Sequence, residues 1–140
     1  RTQITLKDEL EVATTYERIE KLRIGDRLKV DWNLAALPQD AIVPSLVIQP
    51  LLENAIYHGI EPRPDGGTVT VNGELHGDLI TVVVRNPMPA GAVVRDGNRL
   101  ALANIRERLQ LVYGSRATIK AGRFDDQYLS TPRFPYTRQS

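Results

Sequence analysis

Apolar residues recur at helical spacing at the start of the chain. Leu6, Leu10, Ala13, Tyr16, Ile19 and Leu22 make a stripe, and Glu17, Arg18, Glu20, Lys21 and Arg23 make a solvated face. A helix from Leu6 to about Arg23 is expected. Thr5-Leu-Lys-Asp8 resembles a capping box at its start, and Gly25 is a natural stop. The period then falls to two. Leu28, Val30, Trp32 and Leu34 alternate with Lys29, Asp31 and Asn33, the pattern of a half-buried strand over Arg27 to Leu34. A long apolar stretch from Ala41 to Tyr57 predicts a second helix. Pro44 suits its first turn, and a kink or break is expected near Pro50.

Beyond a turn-rich loop, Gly59 to Gly67, two alternating runs flank His76-Gly77-Asp78 and predict a hairpin of Thr68–Leu75 with Leu79–Arg85. Asn86 to Gly97 is punctuated by Pro and Gly and reads as a loop. Arg99 to Tyr113 has Leu102, Ile105, Leu109 and Val112 on one face and predicts a third helix, ended by Gly114. Ala117–Ala121 and Tyr128–Phe134 predict closing strands. Helices and strands interleave, but the hairpin argues against a purely parallel sheet. The expected class is α+β, a layer of helices on one face of a mixed sheet.

Composition narrows the function more than the fold. The chain has 140 residues with 41% hydrophobic and 25% charged content, in the range of one soluble domain. A net charge of +1 gives no bulk attraction to nucleic acid or an anionic membrane. The absence of cysteine excludes disulfides and thiolate chemistry. No apolar run reaches the roughly 20 residues that a spanning helix needs. The chain opens Arg1-Thr2-Gln3 and reads as a piece of a longer protein.

The chemistry concentrates in "LVIQPLLENAIYHGIEP", Leu46 to Pro62, where an apolar helix carries Glu53, Asn54 and His58. Residues three or four apart share a helix face, so Pro50, Asn54, Tyr57 and His58 line one side. The Asn54 carbonyl oxygen is a neutral hard donor suited to Mg²⁺, which shares phosphates and keeps waters. A polar edge where the helix surfaces is the alternative reading of the same residues.

This segment, followed by a hairpin, a Pro/Gly loop and "GNRLALANIRERLQLVYG", Gly97 to Gly114, resembles the ATP-binding domain of sensor histidine kinases of the LytS/AlgZ type. The wording "NPMP" and "GNRLALANIRERL" is most like the AlgZ-type kinases. Asp8 to Leu28 resembles that group's lead-in. The resemblance implies a Bergerat-type two-layer α/β sandwich over residues 26–140, with residues 1–25 as a lead-in helix from an upstream dimerisation region. It implies ATP with Mg²⁺ as ligands, Asn54 as the metal and phosphate contact, and His58 beside the adenine. It places Glu53 where it could position water or the transferred phosphate. Tyr57 stands where many relatives carry a lysine. Asn86 stands at the acid that accepts the adenine amine, with Met88 in the same box, and Gly97, Asn98, Arg99, Leu100 and Asn104 form the lid box.

The departures from the family pattern lie in those same boxes. Asn86 is an amide in place of an acid, and a charge-assisted bond is roughly twice as strong as a neutral one. Met88, Ala90, Arg99 and Ala101 replace glycines. The resemblance implies phosphoryl transfer to a histidine on the upstream domain, then relay to a response regulator of the LytTR type. The parent would be a homodimer at the inner membrane, with this domain in the cytoplasm and no direct contact with nucleic acid. The family's accepting histidine has no counterpart in this sequence, and His76 reads as a turn residue, so autophosphorylation in isolation is not expected. The alternative is a degenerate, non-catalytic fold that binds a regulator or partner. Pro87 to Asn98 is expected to form a mobile lid, with Val93 and Val94 packing over the adenine or plugging the core.

Overall fold

The computed structural model describes residues 3–89, 91–92 and 96–138. In chain order the elements are β1 (Gln3–Thr5), α1 (Leu6–Ile24), β2 (Leu28–Asn33), β3 (Ile42–Pro44), α2 (Ile48–Gly59), β4 (Gly67–His76), β5 (Leu79–Pro87), α3 (Asp96–Tyr113), β6 (Thr118–Phe124) and β7 (Gln127–Pro135). Five strands form one sheet in the order β2-β4-β5-β7-β6, and β1 pairs with β3 in a separate ribbon. The β2–β4 pair is parallel and the other pairs of the main sheet are antiparallel. This is the mixed-sheet α+β class read from the sequence.

Period-two alternation decides which face of the sheet meets the helices. Val69 and Val71 of β4, Ile80, Val82 and Val84 of β5, and Phe134 of β7 are buried on one face. Against them lie Leu51, Leu52, Ala55 and Ile56 of α2 and Leu102, Ile105 and Leu109 of α3. Leu6, Ala13 and Ile24 of α1 join the same core. The tight turn between β4 and β5 uses Gly77 at φ 61°, which glycine takes at little cost. His76 stands exposed at that turn beside Glu74.

The stretch from Ala41 to Tyr57 departs from expectation. It is not one helix. Ile42–Pro44 is a strand held against β1, and the Tyr113 hydroxyl donates to the Ile42 carbonyl at 3.0 Å. Pro44 therefore ends a strand and does not open a helix. The chain turns at Leu46, whose φ is 64°, before α2 begins. Pro50 is the third residue of α2, where a missing N–H leaves no bond unmade, so it needs no kink. The local sequence could not reveal this break, because what starts α2 lies on α1.

Candidate functional site

Helix α2 presents different chemistry on its two flanks. Leu51, Asn54, Ala55 and His58 recur at helical spacing and line a small closed cavity of about 10 Å³. Its other walls are Asn86 at the end of β5, Met88 just beyond, Asn98 in the first turn of α3, and Tyr128 and Ser130 of β7. That volume is at the lower limit for a single water. Asn86, Met88, Asn98, Tyr128 and Ser130 are all buried.

The hydrogen bonds explain how the cavity closes. Asn98 Nδ2 donates to the Tyr128 hydroxyl at 2.8 Å and ties the start of α3 to β7. Asn86 Nδ2 donates to the Pro87 carbonyl at 2.9 Å, which leaves Oδ1 as the accepting side of the amide. The Met88 N–H donates to the Asp126 carbonyl at 2.7 Å. Asn86 also packs directly on Gly59. A Cβ added at Gly59 would stand 2.6 Å from the Asn86 side chain, so glycine follows His58 because the amide needs that space. Asn54 Nδ2 is buried and has no hydrogen-bond partner among the described residues. Such a donor costs about 1–3 kcal/mol when left unmade, which makes it a natural contact for a ligand.

The cavity lining sets amide, imidazole, phenol and hydroxyl groups among Leu51, Ala55 and Met88, with no acid, lysine or arginine. It can read donor and acceptor patterns on a heterocycle. No group of three or more His, Asp or Glu residues suited to a metal occurs among the described residues. Mg²⁺ commonly binds through one or two protein oxygens plus substrate phosphates, and the Asn54 amide oxygen fits that donor set.

Of the residues singled out in the sequence, Asn54, His58, Asn86, Met88 and Asn98 converge here. Others stand elsewhere. Tyr57 is 53% exposed and meets the His58 ring edge-on, with centroids 4.9 Å apart. Arg99, Leu100 and Asn104 are exposed on α3, because Asn98, Leu102, Ile105 and Leu109 take its inward face. Asn104 lines an outer groove of about 310 Å³ with Glu107, Arg108 and Leu111. Gly97 lies in the first turn of α3. The Val93–Val94 part of the expected lid lies outside the described residues, as does Ala90.

Glu53 faces away from the cavity, toward α1. Burial pushes its carboxyl above the ordinary range; a hydrogen bond with Gln49 opposes this and nearby Glu20 adds to it. Burial likewise raises the Tyr16 hydroxyl, helped by the charges of Glu20 and Glu53. Glu20 itself is held low, chiefly by its hydrogen bond with Arg23. Arg23 also pairs with Glu61 just beyond α2. The Glu53 expectation thus meets a different setting, an acid–tyrosine–arginine cluster between two helices.

Tyr128, Ser130 and Glu9 were not anticipated. A serine in register with the buried Phe134 of β7 was the available signal for the first two. Glu9 had none. Its carboxylate is fully buried and accepts from the N–H groups of Leu46, Val47, Ile48 and Gln49 at 3.0, 2.8, 2.7 and 3.4 Å.

The fold is that of histidine kinase catalytic domains. It superposes on the catalytic domain of the histidine kinase ThkA with a TM-score of 0.69, covering 97% of this chain and 95% of that one at 16% identity. The same kinase is known in complex with the response regulator protein TrrA; that chain matches with a TM-score of 0.60 at 13% identity, over 97% of this chain and 42% of that one. No protein-family model matches the chain. In sequence it is similar to the sensor histidine kinase YpdA of Escherichia coli (strain K12), at 34% identity over 134 residues, 84% of this chain and 22% of that protein. It is also similar to the sensor protein LytS of Streptococcus agalactiae, at 29% identity over 81% of this chain and 21% of that protein. The chain is thus a homologue of sensor histidine kinases and spans about a fifth of the length of these relatives.

Proposed function

We propose that this chain is the ATP-binding catalytic domain of a two-component sensor histidine kinase. The observation that carries the reading is Asn54 Nδ2, a buried donor without a partner among the described residues, on a side chain that lines a cavity with His58, Asn86 and Asn98. Asn54 Oδ1 would hold Mg²⁺, and its Nδ2–H would donate to a phosphate oxygen. Asn86 Oδ1 accepts from the adenine amine, and His58 lies beside the base. Gly97, Arg99, Leu100 and Asn104 reach the phosphates from the lid box once the nucleotide has entered, with Tyr57 at the rim. Glu53 has a weaker claim to a catalytic part, given its place against α1. The bound Mg²⁺ neutralises phosphate charge, and the protein's share is positioning. The γ-phosphate goes to a histidine on an upstream dimerisation domain, for relay to a response regulator of the LytTR type. The parent is a membrane-tethered homodimer, with this domain on the cytoplasmic side.

A second reading, a non-catalytic partner-binding domain, draws on one observation. The cavity holds about 10 Å³, whereas ligand pockets typically measure about 300–1,000 Å³. Nucleotide must therefore part α2 from β5 and the start of α3.

Calorimetric titration with ATP, ADP and GTP, with and without Mg²⁺, decides between them. ATP is expected to bind, more tightly with Mg²⁺, and Asn54→Ala is expected to abolish the Mg²⁺-dependent part. No heat with any nucleotide would leave the partner-binding reading. Curves that Asn54→Ala leaves unchanged would remove Asn54 from the metal site.

A further inference from the structure

We infer that Glu9 is a positioning residue for the nucleotide pocket, through which α1 sets where α2 holds Asn54; the inference rests on the nucleotide-binding reading above.

Helix α2 lacks a cap of its own. Its N-cap is Val47, whose side chain makes no capping bond. A helix start leaves its first four backbone N–H groups unpaired. Here they fall on Val47, Ile48, Gln49 and Pro50. Pro50 has no N–H, and the Glu9 carboxylate takes the other three, with Leu46 in addition. The N-terminal signal of α2 therefore belongs to α1, and the two elements share one fully buried carboxylate.

The residue before the helix is fixed from both sides. Leu46 holds φ at 64°, a region costly for a branched L-residue, and such a conformation persists where its surroundings over-determine it. Its N–H is held by Glu9, and its carbonyl accepts from Arg108 of α3 at 3.1 Å. At the other end of the pair, Arg23 of α1 meets Glu61 just after α2. Glu9 and Arg23 are as far apart in sequence as Val47 and Glu61. The helices thus run side by side in the same direction, tied at both ends. That second tie is partly solvated, with Arg23 53% exposed, and so contributes little. Glu9 is the anchor. Asn54 lies two turns into α2, so a shift of α1 along its axis carries the Asn54 amide with it. The Gly59–Asn86 contact leaves no slack to absorb such a shift.

The test compares wild type, Glu9→Gln and Glu9→Asp with Leu34→Ala, a core truncation at the far edge of the sheet that serves as a stability-matched control. The first readout is the side-chain amide resonance of Asn54, assigned by its loss in Asn54→Ala. The second is calorimetric affinity for Mg-ATP. The Glu9 variants are expected to shift the Asn54 amide signal and weaken Mg-ATP binding about tenfold or more. Leu34→Ala should lower the melting temperature comparably and change neither. Glu9→Asp keeps the charge but shortens the reach, so a shift of Asn54 in this variant separates position from charge. Unmoved Asn54 resonances in folded Glu9→Gln and Glu9→Asp overturn the inference. If wild type binds no nucleotide, the proposed function fails by itself, and the resonance readout still decides the role of Glu9.

Discussion

Glu53 and Asn54 show how adjacent positions can carry two different chemistries on neighbouring helix faces. Asn54 turns into the cavity, whereas Glu53 turns toward Tyr16 and Glu20. Desolvation raises the Glu53 pKa in the folded state, so folding favours its protonated form. The sign follows from linkage. A carboxyl with a raised folded pKa lowers stability as pH climbs from its unfolded value through its folded one, and the loss is complete once pH stands above the folded value. Glu53→Gln removes the half-buried acid. It is expected to raise the melting temperature at pH 7, with the gain shrinking toward pH 4, as thermal denaturation across that range would record. Glu20 acts in the opposite sense. Its folded pKa is lowered, so its contribution is present above the unfolded pKa and fades as pH falls through the folded one. A gain from Glu53→Gln that did not depend on pH would point to packing instead.

At the scale of elements, the instructive case is the start of α2. A proline inside a regular helix costs roughly 3 kcal/mol, but in the first turn it removes only a donor that is already in excess. Pro50→Ala is therefore expected to change stability by less than about 1 kcal/mol, measured by urea denaturation. A loss near 3 kcal/mol would show that the ring itself packs to a purpose. The same element marks where the sequence was legible and where it was not. The hairpin and α3 could be read because their signals are local: alternation around Gly77, and a stripe from Leu102 to Leu109. The helix from Ala41 was read too long because apolar residues run on through Ile42–Pro44. Only the remote partners β1, Glu9 and Tyr113 make a strand and a turn of that segment. Asn98 was found by its motif, but its partner Tyr128 was not, since a buried hydrogen bond thirty residues long has no local pattern.

At the scale of the whole molecule, the closed cavity implies a conformational tax on binding. If only a fraction of molecules is open, the apparent dissociation constant rises in inverse proportion to that fraction. Tyr128→Phe leaves Asn98 Nδ2 without its acceptor in the closed arrangement. It is expected to lower the unfolding free energy by about 1 kcal/mol or more, yet to tighten Mg-ATP binding several-fold by favouring opening. Denaturation and titration on the same sample measure both. Weaker binding would instead assign the Tyr128 hydroxyl to the ligand. The order of the strands around this cavity was not legible, because it depends on the antiparallel β5–β7 pairing, which sets Asn86 opposite Tyr128 from more than forty residues away.

The buried carboxylate also bears on how the chain emerges during synthesis. Glu9 leaves the ribosome well before Leu46 to Gln49 exist to receive it. Until they follow, α1 carries a charge that no dry interface will accept, since an unpaired ion resists burial. The first helix must therefore wait, hydrated, for its neighbour to be made. The hairpins of β4 with β5 and of β6 with β7 can close as soon as their residues appear, because their contacts are short in sequence. Docking of the N-terminal helix thus becomes a checkpoint that waits on residues 46–49, one that a chain truncated before residue 46 cannot pass.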